Sequence, residues 1–400
     1  MGVYRKKGRL YIRYKDAKGR WRSDATGLPL GEEQAAERML RQVEDAIASQ
    51  TELGLDEATI AGWAPKWIER RKARGLSMAK ADEQRLRLYI LPELGAMRLD
   101  ELKTRHVRRF VELMSTRPSA MGGKLAPRSV RHIYGTLRQL MADATREDLI
   151  ERNPCDLGRG DLPSVADKDP EWRGGAVFTR AELELLISSP EVPMDRRVIY
   201  ALAGAAGLRW GEVAALRWRS YDPSSEPLGR LTISAAHSRH RGTVGKTKTG
   251  AVRHVPVHPT LAAVLAGWKL HGWQEMVGRQ PEADDWIVPS RELGEEDEVR
   301  LRSGVRALRR LHDDLARLGL RQRRLHDLRR TMISLAQDDG ASPEVLRWIT
   351  HTPASADIVA SYTTLRWRTL CEAIAKVSLQ ISDAARYPVV TPLRAKEKTP

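Results

Sequence analysis

The chain has 400 residues, of which 68 are Lys or Arg and 52 are Asp or Glu, giving a formal net charge of +16. Its length allows two or three domains, and its 41% hydrophobic residues exclude a disordered chain. No apolar run approaches a membrane span and the two cysteines supply no zinc-ligand pair, whereas the charge favours a nucleic-acid partner.

The first 22 residues alternate basic side chains with residues that favour strands. Leu10–Tyr14 and Trp21-Arg22 flank a turn at Asp16–Gly19, which predicts a small antiparallel sheet with a basic face. Such a β-ribbon can enter a DNA groove, whereas the alternative is a basic tail that is only solvated. We expect the sheet to bind DNA through Arg5, Lys6, Lys7, Arg9, Arg13, Arg20 and Arg22. A helix predicted over residues 31–48 completes a first domain, residues 1–52.

Residues 55–155 place apolar side chains at three- and four-residue spacing, which predicts an all-helical second domain. Helices are expected around residues 60–68, from Ser77 to a stop at Pro92, from Thr104, and from Arg128 to Arg146. Residues 156–176 are rich in Gly, Pro and Asp and lack periodicity, which indicates a linker. Residues 177–381 then form a third domain, and residues 382–400 a flexible tail.

The third domain mixes helical and strand patterns. A turn between two predicted helices places Arg209 at the N-terminus of the second helix, where backbone N–H groups also favour anions. Strands at Leu231–Ile233 and Val252–Val257 enclose a glycine-rich hairpin tip that carries Lys246 and Lys248. Taken alone, each of these basic residues is equally typical of an ordinary protein surface.

One stretch near the end of this domain concentrates polar side chains on short helices. His326 and Arg329 are three residues apart and therefore share one face of a helix whose neighbouring face is apolar. Gly340 ends that helix, a second helix leads to His351, and a third carries Tyr362 near its far end. We predict that these side chains surround a single DNA phosphate and that the Tyr362 hydroxyl attacks it.

Breaking a phosphodiester requires a nucleophile, positive charge beside the phosphate oxygens and a proton for the leaving alkoxide. Arginines supply that charge, a lysine among cations releases a proton, and an imidazole activates a tyrosine. No H-E-x-x-H motif or Cys/His ligand set occurs, so we expect no metal site. Two alternatives remain: a DNA-binding protein without catalysis, and a metal-dependent phosphohydrolase built on His312-Asp313 and His326-Asp327.

Four segments resemble the arginine, lysine, H-x-x-R and His-to-Tyr boxes of the tyrosine recombinases, the phage-integrase family: AAGLRWGEVAAL, GKTKTGAVRHVPV, HDLRRTMISLA and THTPASADIVASYTTL. The helical block, with ILPELGAMRLDELKTRHVRRFVELM and ERNP, resembles the family's core-binding domain, and residues 1–22 resemble its arm-type DNA-binding sheet. The resemblance implies a multidomain, mainly α fold with a small N-terminal antiparallel β-sheet, a helical core-binding domain and a mixed α+β catalytic domain.

The resemblance also implies a role for each candidate residue. Arg209, Arg329 and His351 would hold the scissile phosphate, Lys248 would protonate the leaving 5′ oxygen, His326 would assist proton transfer, and Tyr362 would form a 3′-phosphotyrosine. Lys246 is the alternative to Lys248, because the lysine motif is short. Two features depart from the family pattern: Thr350 stands where glycine is usual, and His351 and Tyr362 lie eleven positions apart, slightly more than usual.

A member of this family would be a site-specific DNA recombinase that integrates or excises a phage or mobile element and needs no metal or nucleotide cofactor. Its partners would be double-stranded DNA attachment sites and further copies of itself in a homo-tetramer on DNA, with room for accessory DNA-bending or directionality proteins. We expect no membrane contact and a cytoplasmic, nucleoid-associated location in a bacterium.

Overall fold

The computed structural model describes residues 2–6, 8–15, 19, 21–52, 58–119, 122–165, 172–238, 243–247, 250–293, 299–351 and 365–381. It divides into two compact units, residues 1–168 and 169–400. This division falls within the segment 156–176, and the separation of residues 1–52 from 55–155 stays a prediction. None of the helices in the described ranges combines the length and the apolar character that a membrane span needs.

The first unit begins with an antiparallel sheet in the order β1-β2-β3, built from β1 (Gly2–Lys6), β2 (Arg9–Lys15) and β3 (Trp21–Pro29), with helix α1 (Glu33–Glu52) packed against it. Leu10, Ile12 and Tyr14 alternate along β2 and are buried against α1, as the period of two for strand side chains requires. The Tyr14 hydroxyl donates to Asp24 at 2.7 Å, and Asp24 also accepts from Arg87 at 2.9 Å. This bond network joins the sheet to the helices that follow.

The rest of the first unit is helical, with α2 (Ile60–Ala73), α3 (Ala79–Arg85), α4 (Leu91–Leu94), α5 (Thr104–Thr116), α6 (Pro127–Arg146) and a 3₁₀ turn at Arg159–Asp161. A π-helical turn at Leu86–Ile90 joins α3 to α4, so the helix continues past Pro92, where the sequence predicted a stop. Pro92 is tolerated because it lies in the first turn of α4. Trp67 of α2 is buried in the core and donates to Asp143 of α6 at 2.6 Å.

The second unit is mainly helical and contains short antiparallel strands. Its helices are α7 (Trp172–Ala176), α8 (Arg180–Ser188), α9 (Met194–Ala205), α10 (Trp210–Ala214), α11 (Pro259–Gly267), α12 (Trp273–Val277), α13 (Gly304–Arg317), α14 (Leu325–Asp338), α15 (Pro343–Thr350) and α16 (Trp367–Ala375). Its strands are β4 (Tyr221–Asp222), β5 (Arg230–Ile233), β6 (Ala235–Ser238), β7 (Thr243–Lys246), β8 (Arg253–Pro256), β9 (Pro289–Leu293) and β10 (Val299–Leu301).

The strands of the second unit form a β4-β5-β8 sheet, a β6–β7 hairpin and a β9–β10 pair. The mainly α fold with small antiparallel sheets is therefore confirmed. Helix α7 lies within the segment predicted to be a linker, and the guanidinium of Arg330 stacks 4.3 Å above the centre of the Trp172 ring. This stacking joins the N-terminal end of the unit to α14.

Helix α9 lies at the centre of the second unit, and all of its residues are buried. Two of its charged residues form ion pairs: Asp195 lies 2.7 Å from Arg302, and Arg196 donates to both oxygens of Asp314 at 2.7 Å. The Tyr200 hydroxyl also donates to Asp314 at 2.7 Å. These contacts are needed because a buried charge without a partner strongly destabilises a fold. They fix α9, and α14 packs along it.

Asp314→Ala should lower the free energy of unfolding by about 3–5 kcal/mol, because it leaves the Arg196 guanidinium buried without its partner. The neighbouring Asp313 is 45% exposed and pairs with Arg310 at the surface, so it offers a matched control. Asp313→Ala should change the free energy of unfolding by less than about 0.5 kcal/mol. Urea unfolding of the two variants measures both values, and equal losses would contradict a structural role for the Asp314 pair.

Candidate active site

Arg209 lies where the chain turns from α9 into α10. Gly207 adopts a φ of +64°, a left-handed conformation typical of glycine just after a helix, and Arg209 becomes the N-cap residue of α10. The backbone N–H of Arg209 donates to Glu212 Oε2 at 2.9 Å, and its Nη1 donates to Oε1 at 3.0 Å. Because the side chain is still 45% exposed, its guanidinium is accessible to a ligand.

Glu212 also forms a buried ion pair with Arg253 of β8. Arg253 donates to Oε1 at 2.9 Å and to Oε2 at 2.6 Å, and its Nε donates to the Ile349 carbonyl at 3.0 Å. Burial by itself would raise the pKa of Glu212, but the hydrogen bonds and charge of Arg253 outweigh burial and lower it. The carboxylate therefore stays ionised and connects α10, β8 and the end of α15.

Arg329 of α14 is 2% exposed and donates to two backbone carbonyls, those of Gly207 and Thr350, with Nη2 at 2.5 Å from the Thr350 oxygen. The same Nη2 lies 3.2 Å from His351 Nε2. Burial, followed by the charge of Arg209, lowers the pKa of Arg329 to about 9, so the guanidinium remains charged at neutral pH. The structure thus brings Arg209, Arg329 and His351 into one cluster.

The cluster has an excess of positive charge. The guanidinium groups of Arg209, Arg253 and Arg329 act on one another electrostatically, and Glu212 is the carboxylate that partly offsets them. Backbone carbonyls hold Arg329 without neutralising its charge. Cations preorganised in this way suit a bound anion whose charge spreads over several oxygens, such as a phosphate.

Both predicted histidines are exposed and lie beside arginines. His326 is at the start of α14, and lost hydration, followed by the charges of Arg329 and Arg330, lowers its pKa. His351 follows α15, and partial loss of hydration, followed by the charges of Arg329 and Arg209, lowers its pKa to about 4. Both imidazoles are therefore neutral at neutral pH, the state in which a ring nitrogen accepts a proton.

Lys248 and Tyr362 lie outside the described residues, and their roles stay predictions. The alternative lysine, Lys246, is the last residue of β7, and its backbone pairs with β6. The β6–β7 hairpin approaches α10 closely, because a Cβ atom at Gly211 would lie 2.8 Å from the His237 carbonyl oxygen. Glycine at position 211 therefore lets the hairpin that contains Lys246 pack beside the Arg209 turn.

Sequence reasoning missed the contributions of Glu212, Arg253 and Thr350. Glu212 stands three residues after the N-cap, where a capping carboxylate is common, and this spacing was the available signal. Arg253 shares the buried face of β8 with Val255, so an arginine on the apolar side of a strand was the second signal. Thr350 was noted for departing from the family pattern, but no spacing rule predicts its contact with the His351 ring.

The basic residues predicted to bind DNA divide between the two faces of the N-terminal sheet, because cross-strand partners share a face. Lys6, Arg9 and Arg13 lie on the face away from α1, Arg5 and Arg22 lie on the α1 side, and Lys7 and Arg20 lie outside the described residues. Arg5 pairs with Glu33 of α1 at 2.9 Å. The two faces therefore offer different surfaces to DNA.

The face away from α1 combines basic and aromatic side chains, and we call Tyr4, Lys6, Tyr11, Arg13, Lys15 and Trp21 the outer basic face. Arg13 and Lys15 lie over the Trp21 ring at 4.6 and 5.4 Å, and Lys6 lies over Tyr11 at 5.9 Å. Trp21 is 49% exposed. This surface can contact phosphates through its cations and groove edges through its rings.

No family model matches the chain. Among curated proteins it is similar to the integrase of Mycobacterium phage D29, with 28% identity over 291 residues, which cover 72% of this chain and 70% of that protein. The ICEBs1 integrase of Bacillus subtilis (strain 168) is 29% identical over 165 residues, which cover 40% of this chain and 41% of that protein.

Solved structures share the fold. The Tn1549 transposon integrase in complex with a circular intermediate DNA matches with a TM-score of 0.56 and 17% identity over 76% of this chain and 98% of that one. A lambda integrase tetramer bound to a Holliday junction matches with a TM-score of 0.53 and 16% identity over 89% and 96%. The curated relatives and the solved structures are all integrases, and the chain shares the fold of the Tn1549 and lambda integrases.

Gly211→Ala should destabilise the protein by about 1–3 kcal/mol, because the added Cβ meets a backbone oxygen and the hairpin must move away from α10. The same movement should slow DNA cleavage, since the hairpin contains Lys246, one of the two candidate lysines. Thermal unfolding and a DNA-cleavage assay measure the two effects.

Gly245 in β7 is the matched control, because a Cβ there would have no heavy atom within 4 Å. Gly245→Ala should leave both the unfolding temperature and the cleavage rate near those of the unchanged protein. If Gly211→Ala behaves in the same way, the close approach of the hairpin does not support the site.

Proposed function

We propose that the chain is a tyrosine recombinase that cleaves and rejoins DNA at specific attachment sites through a 3′-phosphotyrosine at Tyr362, and thereby integrates or excises a phage or mobile element. The observation that carries this proposal is the meeting of Arg209, Arg329 and His351 in a cluster with excess positive charge. The relatives described above, all integrases, support it.

Arg209 and Arg329 would bind the non-bridging oxygens of the scissile phosphate. Arg329 is held in place by the Gly207 and Thr350 carbonyls and keeps its charge, so little reorganisation is needed when negative charge develops in the transition state. Arg209 is more exposed and can adjust to the incoming strand. Each guanidinium fork matches two oxygens, which a single ammonium group cannot do.

The candidate lysine, Lys248 or Lys246, and His326 would carry out the proton transfers. As the Tyr362 oxygen bonds to phosphorus, the 5′ oxygen leaves and takes a proton from Lys248, or from Lys246 as the alternative. The neutral imidazole of His326 would assist by accepting the proton of the phenol. The covalent phosphotyrosine conserves the energy of the broken bond, so a 5′ hydroxyl of another strand can reverse the step without water.

The outer basic face would bind a second class of DNA site. Its lysine and arginine side chains would contact phosphates, and the exposed ring of Trp21 would reach the groove. We further propose that the recombinase acts as a homo-tetramer on two DNA sites in the bacterial cytoplasm, in contact with the nucleoid and with accessory DNA-bending or directionality proteins. The lambda integrase tetramer on a Holliday junction supports this assembly.

Tyr362→Phe should abolish covalent protein–DNA adducts, because the substitution removes only the attacking oxygen. DNA binding should stay close to that of the unchanged recombinase, because no cation is lost. Denaturing gels of a nicked DNA substrate detect the adduct, and mobility shifts measure binding. Tyr387→Phe, in the predicted tail, is the control and should form adducts normally. Adducts that persist in Tyr362→Phe would place the nucleophile elsewhere in the chain.

The same assay separates the recombinase from a metal-dependent phosphohydrolase. In the proposed mechanism arginines, not a metal ion, supply the positive charge beside the phosphate. Adduct formation by the unchanged protein should therefore be complete in excess EDTA. Cleavage that returns only when a divalent ion is added would contradict the proposed mechanism.

Lys6→Ala combined with Arg13→Ala should weaken binding to arm-type DNA sites and flatten its salt dependence. Each lost phosphate contact should reduce the slope of log K against log salt by about 0.9. Arg38→Ala combined with Arg41→Ala is the matched control, because both arginines are exposed on α1, which packs on the other face of the sheet. Fluorescence anisotropy over a salt series measures the slopes. An unchanged slope in the first variant would show that the outer basic face does not touch DNA.

A further inference from the structure

Thr350, the residue that stands where the family usually has glycine, contacts the ring of His351. Its side chain is 2% exposed at the end of α15. Its hydroxyl donates to the Leu346 carbonyl at 2.6 Å, and the same oxygen lies 2.8 Å from His351 Nδ1. The methyl group packs beside Gly207, because a Cβ at Gly207 would lie 3.3 Å from Thr350 Cγ2. Both the hydroxyl and the methyl group of Thr350 therefore make contacts within the site.

The donors and acceptors around His351 are compatible with one arrangement of the protons on its ring nitrogens. A carbonyl oxygen only accepts, so the single hydroxyl proton of Thr350 is committed to Leu346, and Nδ1 must donate to the Thr350 oxygen. A guanidinium only donates, so Nε2, 3.2 Å from Arg329 Nη2, must accept. The neutral imidazole with its proton on Nδ1 satisfies both contacts.

The charges that face His351 favour the same neutral state. Arg329, Arg209 and Arg253 disfavour an imidazolium, and Glu212 is the group that opposes them. Partial loss of hydration acts in the same direction as the arginines and is the largest cause of the lowered pKa, which falls to about 4. A second proton on Nε2 would also place an N–H against the N–H of Arg329. Geometry and electrostatics therefore agree.

We propose that the Thr350 hydroxyl is a positioning group that holds His351 as the Nδ1-protonated, neutral tautomer, with the Nε2 lone pair directed into the site beside Arg329. The proposal rests on the proposed function. When the N–H of Arg329 Nη2 donates to a phosphate oxygen and no longer to His351, Nε2 remains as a hydrogen-bond acceptor. In this chain His351 would therefore serve the reaction as an acceptor, whereas a donor to the phosphate would need its proton on Nε2.

The tautomer can be measured without any assay of activity. Long-range ¹H–¹⁵N spectra of the full chain with ¹⁵N-labelled histidine distinguish a protonated from an unprotonated ring nitrogen, and His351→Gln identifies the His351 signals. At neutral pH we expect Nδ1 protonated and Nε2 unprotonated. Thr350→Val keeps the methyl group but removes the acceptor, so a mixture of tautomers should replace the single one, and Thr350→Ser should restore it. Nε2 protonation in the unchanged protein, or one unaltered tautomer in Thr350→Val, would overturn the proposal.

The rate of adduct formation supplies the second readout. Thr350→Val should lower it about tenfold, the order of one lost hydrogen bond, and Thr350→Ser should recover most of the loss. Thr145→Val is the matched control, because the Thr145 hydroxyl makes the same type of bond to a carbonyl four residues earlier, at 3.0 Å, in the other unit. An unchanged rate in Thr350→Val would contradict the positioning role. If Nδ1 is protonated as expected but no adducts form, the result contradicts the proposed function and leaves the proposal about the tautomer standing.

Discussion

The arrangement of the site depends on one buried carboxylate, that of Glu212. Its two oxygens accept from the guanidinium of Arg253 and from both the backbone and side chain of Arg209. A carboxylate in the interior is stable only with such partners, and here the partners come from α10 and β8. Because Arg253 also donates to the end of α15, the same carboxylate indirectly sets the place of His351.

Arg329 shows how the fold keeps a cation charged in a buried position. One acceptor is the carbonyl of Thr350, the last residue of α15, and such terminal carbonyls lack partners within their own helix. This carbonyl also lies at the negative end of the α15 dipole. The other acceptor is the carbonyl of Gly207, two residues after the end of α9. Arg329 is therefore held by two carbonyls, while its charge is not cancelled by a carboxylate. A phosphate would meet a cation whose position is already fixed.

Much of this site could be predicted from the sequence, because motifs place Arg209, His326, Arg329 and His351 within short segments with clear helical spacing. The supporting contacts could not, because they join residues distant along the chain: Glu212 meets Arg253 41 positions later, and Arg253 meets Ile349 96 positions later. Local periodicity carries no information about such pairs. The helix that continues past Pro92 shows the same limit on a smaller scale, since a π turn before a proline has no sequence signature of its own.

The bond network of Tyr14, Asp24 and Arg87 has a practical consequence for dissecting the molecule. Asp24 of β3 accepts from Tyr14 within the sheet and from Arg87 in the π turn between α3 and α4. A fragment that begins at residue 58 would leave Arg87 without its carboxylate and would uncover the helical surface beside it. Truncated forms thus differ from the intact protein in the helices of the first unit as well as in the missing sheet, and weaker DNA binding would have two separate origins.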